Sequence, residues 1–168
     1  MIRREHKGER GQREGARRDF DQKVIEIKRV TRVVAGGKRM RFRALVVIGD
    51  RRGKVGMGLR KGTDVSEAVN KAVNAAKKSM VVVPLQNDTI PHKVHMKYKS
   101  SRILLLPAAP GTGIIAGGAL RGVLELAGVK NILSKMQGSS NKVNNVKALF
   151  TAFGKMKSVA EIKERLKA

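Results

Sequence analysis

The chain contains no cysteine and no tryptophan, and its aromatic residues are four phenylalanines and one tyrosine. Without cysteine there is no disulfide, no thiolate zinc site and no cysteine nucleophile. This fits a reducing compartment. The shortage of aromatics argues against a sheet that stacks unpaired bases, because such platforms need exposed rings. Acidic residues are also scarce, 13 Asp and Glu against 37 Lys and Arg, for a formal net charge of +24. Self-repulsion at that charge disfavours a compact chain on its own, so a polyanionic partner is the first expectation. An anionic membrane surface comes second, and a solvated basic surface third. No apolar run approaches the ~20 residues of a membrane span. The N-terminal MIRREHKGERGQREGARR has no apolar segment of a secretory signal, and its acids argue against an organelle transit peptide.

Hydrophobic residues make up 41% of the 168, enough for a core. Residues 1–19 alternate charge with glycine and read as a basic leader, disordered alone, that is either solvated or ordered on RNA. From Phe20 the run KVIEIKRVTRVV reads as a strand, with a phase slip near Arg29 and Val30 that suggests a bulge. Ala35-Gly36-Gly37-Lys38 is a turn. Met40, Phe42, Ala44, Val46 and Ile48 then alternate with Arg39, Arg41, Arg43, Leu45 and Val47, which predicts a strand with one core face. Asp50-Arg51-Arg52-Gly53 is a hairpin turn. Val55, Met57 and Leu59 continue the apolar face, with Gly56 and Gly58 opposite.

Asp64 is placed to cap a helix, and Glu67 three residues on completes a capping box. Val65, Ala68, Val69, Ala72, Val73, Ala76 and Met80 follow helical spacing. Residues 20–83 thus form a first unit of three strands and a helix, and the Pro- and Asn-containing stretch 84–89 is a linker. The second unit, 90–168, has strands near 91–99 and 102–107. A helix runs from about Gly117 to a stop at Gly128. A short strand at 129–136 and a helix over 144–153 are expected to follow, and a last helix opens at the Ser158–Glu161 capping box. The fold class is α+β.

Gly111, Gly113 and Ala116 match the G-x-G-x-x-A of dinucleotide sites. The required acid ~20 residues on is missing, and no Lys-Ser/Thr follows Gly118 as in phosphate loops. Close packing against a helix or another protein is the better reading of these glycines. His92 and His95 fall on opposite faces of a strand, which opposes a metal site. No nucleophile–base or paired-carboxylate pattern stands out, so no catalytic residue, metal or cofactor is expected.

Arginine forks bind phosphate in two places at once. Arg39 and Arg41 on a strand and Arg51 and Arg52 at a turn lie beside glycine-rich strands that let a phosphate backbone approach. Arg29, Arg32, Lys38, Lys54, Arg60 and Lys61 add basic groups over neighbouring segments. These ten residues are the candidate RNA-binding set, suited to folded or double-stranded RNA rather than single-strand base recognition. A solvated hairpin kept from aggregating by charge is the alternative.

Two blocks carry a resemblance. Gly37-Lys38, Phe42-Arg43-Ala44, Val47-Ile48-Gly49-Asp50 and Gly53-Lys54-Val55-Gly56-Met57-Gly58, followed by Val65 and Ala68-Val69, resemble the signature of the bacterial small-subunit ribosomal protein five family. Gly111 to Ala119, Arg121, Val123-Leu124-Glu125 and Ala127-Gly128-Val129 resemble the same family's C-terminal half. The match runs in register from about Phe20 to the end. It implies an N-terminal unit like a double-stranded-RNA-binding domain, and a C-terminal βαβ-type two-layer sandwich with a left-handed crossover. It implies binding to small-subunit rRNA near the neck and contacts with small-subunit proteins four and eight. With proteins three and four, the chain would line the path by which messenger RNA enters and help keep it unpaired there. It would also support decoding accuracy through the interface with protein four. The loop matching Thr31 to Arg39 would lie near the head and the spectinomycin site. Gly111, Gly113, Gly117, Gly118 and Arg121 would sit at or near the protein-four interface. Pro110 departs from the polar or acidic residue expected there, which stiffens that loop. The expected setting is the cytoplasm, in the small subunit, with no membrane, no homo-oligomer and no catalytic turnover.

Overall fold

The structure is a computed structural model that describes residues 20–157. The expected leader and the helix expected to open at Ser158 lie outside the described residues.

Three long strands, β1 (Asp21–Val34), β2 (Gly37–Gly49) and β3 (Lys54–Gly62), form an antiparallel meander. Helix α1 (Val65–Lys78) follows, then a three-residue strand, β4 (Met80–Val82), pairs with β3 at the sheet edge. Met80, expected on the helix, belongs to this fourth strand, whose pairing with β3 is a long-range fact that helical spacing does not reveal. The bulge lies at Ile25, between the pairs Val24–Val46 and Glu26–Leu45, rather than at Arg29. It turns Ile25 and Glu26 to the same side, which lets Ile25 reach the core while Glu26 stays in register with Leu45.

The helix starts as its residue types dictate, with one shift of partner. The Asp64 carboxylate accepts from Ser66 N at 3.3 Å. Glu67 reaches back past Asp64 to Thr63, accepting from its N–H at 2.6 Å and its hydroxyl at 2.7 Å. The reciprocal box therefore closes one residue earlier than expected.

Both faces of the sheet are covered over its first half. Ala44, Val46 and Ile48 face α1 and pack with its fully buried Ala68, Ala72 and Ala76. Leu45, Val47 and Val55 face the other way, into a larger core shared with the rest of the chain. Val55, Met57 and Leu59 thus lie on the face opposite Ala44, Val46 and Ile48, since Gly49–Val55, Val47–Met57 and Leu45–Leu59 are the cross-strand pairs. The expected single core face is corrected to two, because a helix far along the chain covers the second.

The C-terminal sheet has strand order β5 (Val94–Tyr98), β6 (Ser101–Pro107), β8 (Ile132–Gln137) and β7 (Ile114–Ile115). β7 and β8 are parallel and are joined by α2 (Gly118–Ala127), a βαβ unit; α3 (Lys142–Lys155) follows β8. The fold is α+β, with an N-terminal sheet plus helix and a C-terminal sheet with two helices. Buried residues recur almost all round α2: Ala119, Leu120, Val123, Leu124, Leu126 and Ala127. A helix of that kind needs cover on several sides, and it touches both β1 and β2 of the first sheet and β7 of the second. Asn141 caps α3 by accepting from Val143 N at 3.0 Å. Val146, Leu149 and Phe153 point inward and Phe150 is half-buried. Within the stretch expected as a linker, Asn87 and Asp88 adopt positive φ in a tight turn closed by Gln86 and Thr89. The Asp88 carbonyl accepts from Lys130 N and Asn131 N, fastening that turn to the C-terminal sheet.

Candidate nucleic-acid interface

Beyond the Phe42–Gly62 pair β3 ends, and β1 and β2 continue alone as a two-stranded ribbon. On the ribbon, and in the three-stranded row just before it, the register places like charges face to face. Arg32 opposes Arg39, and Arg43 opposes Lys28 on one side and Lys61 on the other. Cations directly opposite one another destabilise an isolated sheet. Arg32, Arg39, Arg41 and Lys61, with Val30, Thr31 and Val34, line a groove of about 430 Å³ on this face. The acid nearest in the register is Glu26, which pairs with Lys28 at 3.4 Å. The ribbon is therefore a shallow trough with guanidinium groups along its floor and no internal carboxylate to neutralise them.

The ten candidate RNA-binding residues divide into three places. Arg32, Arg39, Arg41 and Lys61 share the trough. Arg29, Lys38 and Arg60 lie on the opposite face, paired with Phe42, Val33 and Ala44. That face also exposes Val33 and Met40. Arg51, Arg52 and Lys54 sit at the far end of β2, on the order of 35–40 Å along the strand from Arg39. Arg43 and Lys28 belong to the trough but were absent from the candidate set. The alternation of Arg39, Arg41 and Arg43 was the signal for Arg43; only register places Lys28 opposite it.

The turn at Arg51 is an internal joint as well as a basic tip. Arg51 takes a left-handed φ of 56°. Its N–H donates to Leu126 O at 3.0 Å, and Gly53 N donates to Ala127 O at 2.9 Å. These two amides satisfy carbonyls left open at the C-terminal end of α2. The Arg51 guanidinium pairs with Asp21 at 2.7 Å. Arg52 and Lys54 are exposed, and their amides donate to the Asp50 carboxylate at 2.7 and 2.9 Å.

The glycines of β3 do not leave backbone open for phosphate. A side chain on Gly56 or Gly58 would overlap the Ala76 or Ala72 carbonyl, and one on Gly62 would lie 2.6 Å from Ala68 N. Their bare surface is taken by α1. This corrects the expectation of an open glycine-lined approach: the glycines serve close helix–sheet packing.

The second glycine segment is shaped from within. The buried Asn131 side chain accepts from Gly111 N and Gly113 N, both at 3.1 Å. Those amides are spent on the protein, which opposes a phosphate cradle. Gly111 and Gly113 hold positive φ, at 91° and 74°, so the loop needs glycine there. Gly117 caps α2 without a side chain and touches Met136, whereas Gly118 has open space where a side chain would be. One turn on, Arg121 donates to Glu125 at 3.1 Å, and Lys23 of β1 donates to the other carboxylate oxygen at 2.8 Å. The Lys23 hydrogen bond holds the Glu125 carboxyl below the usual range, against the opposing effect of partial burial and with help from Arg121. Gly111, Gly118 and Arg121 are exposed, and Gly113 and Gly117 are half-buried.

His95 is exposed on β5 and His92 half-buried before it. Among the described residues no cluster of three or more metal-ligating side chains occurs, and no helix is long and apolar enough to cross a membrane.

Two family models match the chain. One, described as ribosomal protein S5, N-terminal domain, covers residues 20–84; the other, ribosomal protein S5, C-terminal domain, covers 96–166. The small ribosomal subunit protein uS5 of Thermus thermophilus is 50% identical over 149 residues, 89% of this chain and 91% of that relative. That of Treponema pallidum is 47% identical over 152 residues, 90% of this chain and 88% of the relative. The small ribosomal subunit protein uS5c of Spinacia oleracea is 46% identical over 156 residues, and the match spans 92% of this chain but 51% of the relative.

Proposed function

The chain belongs to the ribosomal protein S5 family, and from that premise we propose that the β1–β2 ribbon is its principal grip on rRNA phosphates. It is a structural constituent of the small ribosomal subunit, an rRNA-binding protein of bacterial type and not an enzyme. The observation that supports the ribbon reading is the trough of unneutralised cation pairs, Arg32–Arg39 and Arg43–Lys61, on the outer stretch of a sheet face whose inner stretch, at Leu45 and Val47, lies under α2. A polyanion removes the repulsion that the register builds in. Aromatics are nearly absent from the ribbon, which suits backbone and shape recognition.

The finer assignments belong to the same proposal. The ribbon reaches rRNA near the neck, and its tip, Thr31 to Arg39, approaches the head. The edge formed by Gly111, Gly113, Gly117, Gly118 and Arg121 receives small-subunit protein four. Contacts with proteins eight and three, a place beside incoming messenger RNA and an influence on decoding accuracy complete the reading. In this reading residues 20–83 and 90–168 are the two domains, joined at 84–89.

The test is the salt dependence of binding to a refolded small-subunit rRNA transcript. The triple change Arg32→Ala, Arg39→Ala and Arg41→Ala should flatten the slope of log K against log salt by roughly 0.7–0.9 for each phosphate that is no longer neutralised. A slope equal to that of the unaltered chain would refute the ribbon as a phosphate grip.

A further inference from the structure

The C-terminal sheet has one face under α2 and α3 and one face bare. Alternation assigns the sides. Ser101, Ile103 and Leu105 of β6 are buried, while Arg102 is exposed and Leu104 and Leu106 are half-exposed. In register with Arg102 lie Lys97 on β5 and Gln137 on β8, and Lys135 lies diagonally beside it. Lys99, at φ 53° in the β5–β6 turn, adds a fourth cation at the same end of the sheet. In the next row Leu104 lies between His95 and Lys135, and the row after it, Leu106, Leu133 and Ile115, is apolar.

Lys97 directly opposite Arg102 is a like-charge pair of the kind that lines the ribbon trough. Among the described residues no acid pairs with either cation. Residues 91–157 contain eleven Lys and Arg and one acid, Glu125. That acid is already held by Lys23 and Arg121. Edge protection against aggregation accounts for Lys97 and Lys99 on the edge strand β5. It also covers Lys135, which lies beyond the two-residue pairing of β7 with β8, but it does not account for Arg102, because β6 is paired on both sides there.

We propose that the basic end of this bare face, Lys97, Lys99, Arg102 and Lys135, is a second binding place for an RNA sugar–phosphate backbone, separate from the ribbon. Arg102 is its centre, since a guanidinium can take two phosphate oxygens while flanking lysines add charge. The chain then holds RNA at two places on two different sheets and acts as a clasp between RNA segments. The inference rests on the chain being an rRNA-binding constituent and is independent of the ribbon assignment.

The test uses the full chain and the same small-subunit rRNA transcript. The variant Lys97→Ala, Arg102→Ala, Lys135→Ala should lower the salt slope by about 2–2.7, at 0.7–0.9 per phosphate. Combined with the ribbon triple, the losses should add. All three side chains are exposed, so an unchanged urea midpoint certifies the fold. Arg102→Gln alone should lower the slope by roughly the 0.7–0.9 of a single phosphate. A sheet-triple slope equal to that of the unaltered chain overturns the proposal. So does photocrosslinking from position 102 in reconstituted subunits that reaches protein and no RNA, which would make the face a protein dock. A lowered slope in the sheet triple but not the ribbon triple would keep this binding place and discard the ribbon; the reverse would do the opposite.

Discussion

Gly58 lies so close to Ala72 that a methyl group on the glycine would overlap the alanine's carbonyl oxygen. The partner helix repeats the fit, with Ala68, Ala72 and Ala76 spaced four apart along the stripe that meets Gly62, Gly58 and Gly56. Two backbones meet here with no side chain between them. Gly58→Ala should therefore cost about 3 kcal/mol, the upper range for overpacking a well-filled core. Urea denaturation monitored by far-UV circular dichroism measures it; a cost under about 1 kcal/mol would mean that helix and sheet can separate cheaply.

Gly128 presents a second close approach. It holds φ at 84°, and a side chain there would overlap the Arg51 carbonyl. Gly128→Ala should lose at least the ~1–2 kcal/mol of a left-handed residue, plus the cost of moving the 50–53 turn. Hydrogen exchange at Arg51 and Gly53 should accelerate in this variant. Unaltered protection would show that the α2 terminus does not hold that turn.

Glu67 should make α1 acid-sensitive. Its carboxyl is pulled down to about 2, first by the Lys71 hydrogen bond and then by Thr63. A depressed folded-state pKa gives stability that is full above the unfolded value and lost as pH falls through the folded one. The window therefore runs from about 4.5 down to about 2. Glu67→Gln should flatten the fall of Tm across that window, with a lower Tm than the unaltered chain at neutral pH and convergence of the two near pH 2. A pH profile identical to that of the unaltered chain would remove Glu67 from the account.

Asn131 should control the glycine loop. With Asn131→Ala the Gly111 and Gly113 amides lose their shared acceptor, a loss of about 0.5–1.5 kcal/mol for each hydrogen bond. Their hydrogen exchange should rise selectively, while that of the β1–β2 ribbon stays as it was. Uniform acceleration would mean that the substitution unfolds the domain rather than the loop.

Local chemistry was legible from the residues. Asp64 caps its helix, Gly128 ends one with left-handed backbone, and Gly36, Gly37 and Gly53 take positive φ at the two hairpin turns. What failed was non-local. Leu45 and Val47 look like the back of a one-sided strand until α2, some eighty residues later, covers them. β4 and β7 are two or three residues long and exist because a neighbouring strand accepts them. The purpose of Gly56 and Gly58 was misread because a bare strand looks alike whether RNA or a helix comes near. The alanine spacing of α1 was the clue that decides between them. In the candidate interface, alternation found Arg39 and Arg41, but only the register could show that Arg29 and Lys38 turn away from them and that Lys28 does not.

The burial of α2 on nearly every side has a consequence for synthesis. A chain made from its N-terminus completes Leu45 and Val47 long before Leu126 exists. At roughly 5–20 residues per second, that sheet face waits about 4–16 s for its cover. During that interval the half-built protein shows an apolar surface beside a ribbon of unneutralised arginines. Its first molecular companions are therefore selected before the fold closes, and any that bind the apolar face must leave again for α2 to arrive.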